Sequence, residues 1–255
     1  MGGHRSEDVV AIARRVLASR FPGALCAFVA GSILRGQGTV ASDIDLVVVF
    51  DRVETGWREF FSESGFPVEA FVHDPETLGW FIDTDAKSGF PIIVDMVASG
   101  HVIGSDLWCA DALKAHAAKI LAAGPAPLAP PQLNALRYVI TDLVDDLRGE
   151  RSSSELRAIA ARLFQPLADL ALLGRNQWSG KGKWIPRLLE KLDDFLARNF
   201  DEAFRLAMEG NPATLIAFAE TELARHGGPY FAGDRREAPA EARLASIRGE
   251  LGLRR

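Results

Sequence analysis

Asp43 and Asp45 stand one residue apart at the head of an apolar run, Asp43-Ile-Asp-Leu-Val-Val-Val-Phe50, and Gly31-Ser32 lies a short loop upstream. Alternate side chains of an extended strand point the same way, so the two aspartates share one side and Ile44 takes the other. Carboxylates this close repel, and a divalent cation between them removes that cost. Such a pair suits displacement at a polyphosphate, where two metal ions roughly 3.5–4 Å apart neutralise charge and align the attacking and leaving oxygens. Magnesium takes oxygen ligands and shares them with substrate phosphates, which makes it the expected ion. Glu69, between Val68 and Ala70 on the next expected strand, is the preferred third carboxylate. Asp95 is a rival in a stretch whose local structure the sequence leaves open.

These side chains need elements to hold them. Ser6 reads as the N-cap of a helix carrying Val9, Val10, Ala13, Val16 and Leu17, which Phe21-Pro22-Gly23 ends. Residues 24–30 read as a strand, 31–35 as the opening of a helix and 36–42 as a loop of small and polar residues. Residues 43–50 form a second strand whose apolar latter half implies burial on both faces. A short helix is expected over 56–63, a third strand over 67–73 and a helix over 75–83 with Pro75 in its first turn. Residues 90–97 fit strand or helix, and 106–123 read as an alanine-rich helix. Gly124-Pro-Ala-Pro-Leu-Ala-Pro-Pro131 is the clearest linker signal in the chain. Beyond it the patterns are helical, over 136–147, 155–173, 184–197, 201–208, 212–225 and a charged stretch at 235–255.

The expected fold class is α+β: a small mixed β-sheet with helices in residues 1–123, a Pro-rich linker at 124–131, and an all-helical bundle domain in 132–255. The 255 residues carry a formal net charge of -5, which argues against a duplex nucleic-acid partner and is compatible with a small neutral or cationic one. Cys26 and Cys109 match neither a disulfide framework nor a zinc site, and a reducing cytoplasm is the expected setting. No apolar run is long enough to span a bilayer, so no membrane partner is expected.

Gly31-Ser32 followed by Asp43-Ile44-Asp45 among apolar residues resembles the signature of the DNA polymerase β-like nucleotidyltransferase superfamily, and Glu69 extends the resemblance. The length and helical second half resemble its aminoglycoside nucleotidyltransferase branch. The resemblance implies metal held by Asp43, Asp45 and Glu69, and nucleotide phosphates near Gly31 and Ser32, with Arg35 and Ser42 in the same loop. It also implies ATP or another NTP as donor, two Mg2+ ions, a hydroxyl-bearing acceptor between the domains, and a monomer or homodimer. Modification of a protein or a tRNA is an alternative on the same chemistry. A non-catalytic nucleotide-binding regulator is an alternative of another class.

In the helical half, Asp146 borders the Leu136/Ile140/Leu143/Leu147 stripe, and Asp142 lies one turn earlier. Either carboxylate is a candidate general base for the acceptor hydroxyl, Asp146 being the better placed, against a plain reading as a solvated acidic face. Trp178-Ser-Gly-Lys-Gly-Lys-Trp184 places Lys181 and Lys183 where they can meet a triphosphate or the leaving pyrophosphate. It lacks the spacing of a Walker A loop, and Ser179 also fits a helix cap.

Overall fold

The computed structural model describes residues 3–39, 41–235, 237–239 and 242. Helix α1 (Gly3–Arg20) leads into a five-stranded sheet built from β1 (Cys26–Ala30), β2 (Ile44–Val49), β3 (Trp57–Glu63), β4 (Phe66–His73) and β5 (His101–Gly104). The strand order is β3-β4-β2-β1-β5, with β2 and β4 parallel and the other pairs antiparallel. Strand alternation divides the sheet's apolar residues between two cores. Ala27, Val29, Ile44, Leu46, Val48, Val68, Ala70 and Val72 pack on one face against Val9, Ile12, Ala13, Val16 and Leu17 of α1. Cys26, Phe28, Val47, Val49 and Phe71 face the other way. There they meet α2 (Pro75–Ser88), α3 (Ile93–Ser99) and α4 (Leu107–Ala123).

The helical half comprises α5 (Pro130–Arg148), α6 (Ser153–Leu173), α7 (Trp184–Leu192), α8 (Asp194–Met208) and α9 (Ala213–Ala224). It has its own core, centred on Ile140, Leu143, Leu163, Leu167, Leu170, Phe200 and Leu215. Its first helix opens at Pro130, so the extended part of the Pro-rich stretch ends at Ala129.

Several expectations are corrected. Residues 57–63 are a strand, because Ser64 and Gly65, both at positive φ (50° and 80°), close a two-residue hairpin of the type I′ kind onto β4. Gly31–Gly36 form successive turns instead of a helix start: Gly36 N–H donates to Ile33 O and Gln37 N–H to Ser32 O, and Gly36 sits at φ 70°. Helix α1 begins before Ser6, which is therefore inside the helix and not its cap. The expected helix over 184–197 is two, broken at Asp193, whose extended backbone (φ -164°) and carboxylate accepting from Leu196 N–H start α8. That helix absorbs the separate one expected over 201–208. The ambiguous stretch at 90–97 resolves largely into α3, and β5 was not foreseen. Most of the helix expected over 235–255 lies outside the described residues.

Candidate active site

Asp45 and Glu69 are register partners on the parallel neighbours β2 and β4, so their side chains emerge side by side. They have the parity of Val47 and Phe71, and so lie on the face covered by α2–α4. Asp43, two residues before Asp45, completes the group. One carboxylate oxygen from each residue lies within 4.8 Å of the others, the one such acidic cluster among the described residues. Glu69 is buried and the aspartates are half-buried. Burial, then the charges of Asp43 and Glu69, push the Asp45 carboxyl up to about 6, and Arg35 and Lys183 partly offset them. Three hard oxygen donors that strain against one another suit a divalent cation such as magnesium.

Gly31 follows β1, whose last residue, Ala30, pairs with Asp45. Its φ of 102° favours glycine, and a Cβ there would stand 2.9 Å from Asp45 Oδ2 and 3.4 Å from the Asp43 carbonyl oxygen. The absent side chain is thus what lets the turn close onto the carboxylates. Ser32 is buried, and its hydroxyl donates to Ser42 Oγ at 3.0 Å. Thr39 N–H donates to the same oxygen at 2.8 Å. Ser42 therefore laces the loop shut immediately before Asp43. Since turns follow Gly31, the backbone N–H groups there act without an aligned helix dipole behind them.

Three cations act on the acids: Arg58 on Glu69, and Arg35 and Lys183 on Asp45. Arg58, on β3, pairs with Glu69, and its guanidinium carbon lies over Phe60 and Phe71 at 4.6 and 5.1 Å. Arg35 Nη2 donates to Asp95 Oδ2 at 2.6 Å, so the rival third carboxylate serves to hold Arg35 and is not in the cluster. Lys183 occupies the N-cap position of α7, and its charge is felt at Asp45. Lys181 stands 5.3 Å from the Phe90 ring. The loop bearing both lysines is stitched down at several points. Ser179, fully buried, donates to Asp169 Oδ1 at 2.5 Å, and Gln165 Nε2 donates to that oxygen and to Gly180 O. Ser179 N–H reaches Gly89 O at 2.9 Å, and Trp178 Nε1 reaches Leu121 O at 2.9 Å. Ser179 is therefore an anchor and caps no helix.

Asp142 and Asp146 are differently placed. Asp146 accepts from Arg151 Nη2 at 3.0 Å, Asp142 is half-buried on α5, and neither is among the charges acting on Asp45. Sequence reasoning missed Arg58 and Asp169. Arg58 became visible only with the β3–β4 register, although Ser64-Gly65 was an available hairpin signal.

Residues 10–109 match the family model described as a nucleotidyltransferase domain, and that part of the chain is a nucleotidyltransferase domain of the DNA polymerase β-like kind. The activity it brings to the chain is nucleotidyl transfer. Among solved structures, the nucleotidyltransferase-like protein from Exiguobacterium sibiricum 255-15 is similar at 11% identity over 85% of this chain and 76% of that one, with a TM-score of 0.43. At that score the likeness adds nothing on fold or function. No curated protein matches the sequence.

Proposed function

We propose that the chain is a magnesium-dependent enzyme that moves a nucleoside monophosphate, AMP from ATP in the first instance, to a hydroxyl of a small molecule of the aminoglycoside type. In this reading the acceptor oxygen forms a bond to the α-phosphorus, the α–β bridging bond breaks, pyrophosphate departs, and the hydroxyl proton passes to a carboxylate. The observation that carries it is the convergence of Asp43, Asp45 and Glu69 beside the side-chain-free Gly31 turn.

Asp43, Asp45 and Glu69 would hold the cation, which when bound neutralises triphosphate charge and orients the α-phosphorus. Gly31 leaves room for a phosphate next to the acids, and Ser42 and Ser32 fix the turn that borders it. Arg35, Lys181 and Lys183 supply positive charge on the polyphosphate side. Arg58 holds Glu69 in position from the edge strand. Asp142 and Asp146 are the general-base candidates, and Asp146 must leave Arg151 to serve. Residues 1–123 act as the catalytic domain and 132–255 as the acceptor-side domain, joined by 124–131. The net charge of -5 is compatible with a cationic acceptor.

The test is transfer of label from α-labelled ATP to a panel of aminoglycosides, other hydroxyl-bearing antibiotics, tRNA and protein, with and without magnesium. Magnesium-dependent label on a small acceptor, lost in Asp45→Asn, is the expected result. Label on tRNA or protein would replace the acceptor assignment, and label nowhere in an otherwise folded protein would refute the reading.

A further inference from the structure

Arg187 lies on α7, three residues after Trp184 and four after Lys183. Residues four apart share a helix face, so Arg187 lies on the side of α7 that Lys183 begins. Its guanidinium carbon stands 5.0 Å from the centre of the Trp184 ring, and that of Arg35 stands 5.1 Å from the same centre. Both charges therefore lie within about 10 Å of each other on one aromatic platform.

The arginines at the carboxylate site have anions of their own: Arg35 has Asp95 and Arg58 has Glu69. Arg187 has none. Among the described residues it forms no ion pair or hydrogen bond, and its Nη1 is buried with no partner. A half-buried guanidinium beside like charges is costly unless an anion meets it. A guanidinium also presents its donors in a fork that matches phosphate.

We propose that Arg187 is a binding residue for the polyphosphate of the donor nucleotide, the substrate supplying the anion that the protein withholds. This rests on the nucleotidyl-transfer reading and adds to it a residue of the helical half. Trp184 holds the guanidinium in place, and Lys183 and Arg35 flank it, so a chain of phosphates running from the carboxylates meets three cations in turn.

The test is calorimetric titration of inorganic tripolyphosphate, and separately of ATP, in the presence of magnesium. Wild type is compared with Arg187→Met, which keeps the stem on Trp184, and with Arg187→Lys. Affinity for both ligands should fall about tenfold or more in Arg187→Met, the loss expected for a charge-assisted hydrogen bond, with Arg187→Lys intermediate. The melting temperature of unliganded Arg187→Met should equal or exceed that of wild type, since an unpaired charge is removed; a purely structural arginine would lower it. Equal affinity of wild type and Arg187→Met would overturn the proposal and leave nucleotidyl transfer standing. A wild-type protein that binds neither ligand would overturn both.

Discussion

Gly31 is the residue on which the site's geometry turns. Its positive φ and the 2.9 Å between a Cβ and Asp45 Oδ2 mean that Gly31→Ala must strain the turn and displace a carboxylate together. We expect that substitution to cost about 1–3 kcal/mol of stability and to abolish transfer, read by thermal melts and by label incorporation. Arg58 acts differently. Its ion pair compensates the buried Glu69 carboxylate, which otherwise faces the Asp43 and Asp45 carboxylates uncompensated. Arg58→Gln should therefore lower the melting temperature without magnesium, and the deficit should shrink when magnesium is added. A deficit independent of the ion would mean that Arg58 matters only for packing on Phe60 and Phe71.

At the level of elements, two buried carboxylates tie helices together. Asp85, near the end of α2, accepts from Val94 N–H at 2.9 Å and from the backbone at Ile92 and Ile93, and so caps α3 from outside that helix. Burial nonetheless dominates and pushes its carboxyl from 3.8 up to about 6. The folded protein thus holds the proton more tightly than the unfolded chain. The resulting stability is present below the ordinary value and is lost as pH rises through the folded one. Between about pH 4 and pH 6 that contribution, on the order of 3 kcal/mol, should disappear in wild type and be missing throughout in Asp85→Asn, as melts across that range would show. Asp169 is also pushed up by burial, while Ser179 and Gln165 oppose the shift by hydrogen bonding. Ser179→Ala removes the anchor of the lysine-bearing loop. It should cost about 1–2 kcal/mol and weaken ATP binding, measured by melts and by titration.

For the whole molecule, the two halves have separate apolar cores, and the contacts between them among the described residues include Trp178 with Leu121, Ser179 with Gly89, Lys181 with Phe90, and Arg35 with Trp184. In our reading the ligand lies where these contacts run, and its binding couples the halves. Saturating ATP with magnesium should raise the melting temperature of wild type, by an amount equivalent to about 2.7 kcal/mol at a hundredfold excess over Kd. Asp45→Asn should lose most of that rise. A rise with ATP alone, unaffected by magnesium, would count against the carboxylates as cation ligands.

The apolar runs over 26–30 and 44–49, the two-residue offset of Asp43 and Asp45, and the switch to helical period after the Pro-rich stretch are local patterns. The sequence alone determined the α+β class, the position of the acidic pair and the helical second half, because periodicity and turn chemistry act over a few residues. It failed at 57–63, where pairing with β4 decides the strand, and at 31–36, where hydrogen bonds between Ser32, Thr39 and Ser42 favour turns over a helix. The site's remaining members are joined by long-range geometry. Glu69 lies beside Asp45 through the parallel register of β2 with β4, Asp95 is held by Arg35 sixty residues away, and Asp169 anchors the loop that carries Lys183. Which acids converge, and which cations face them, depends on how strands register and helices pack. That is a property of the folded chain, and no short window of residues encodes it.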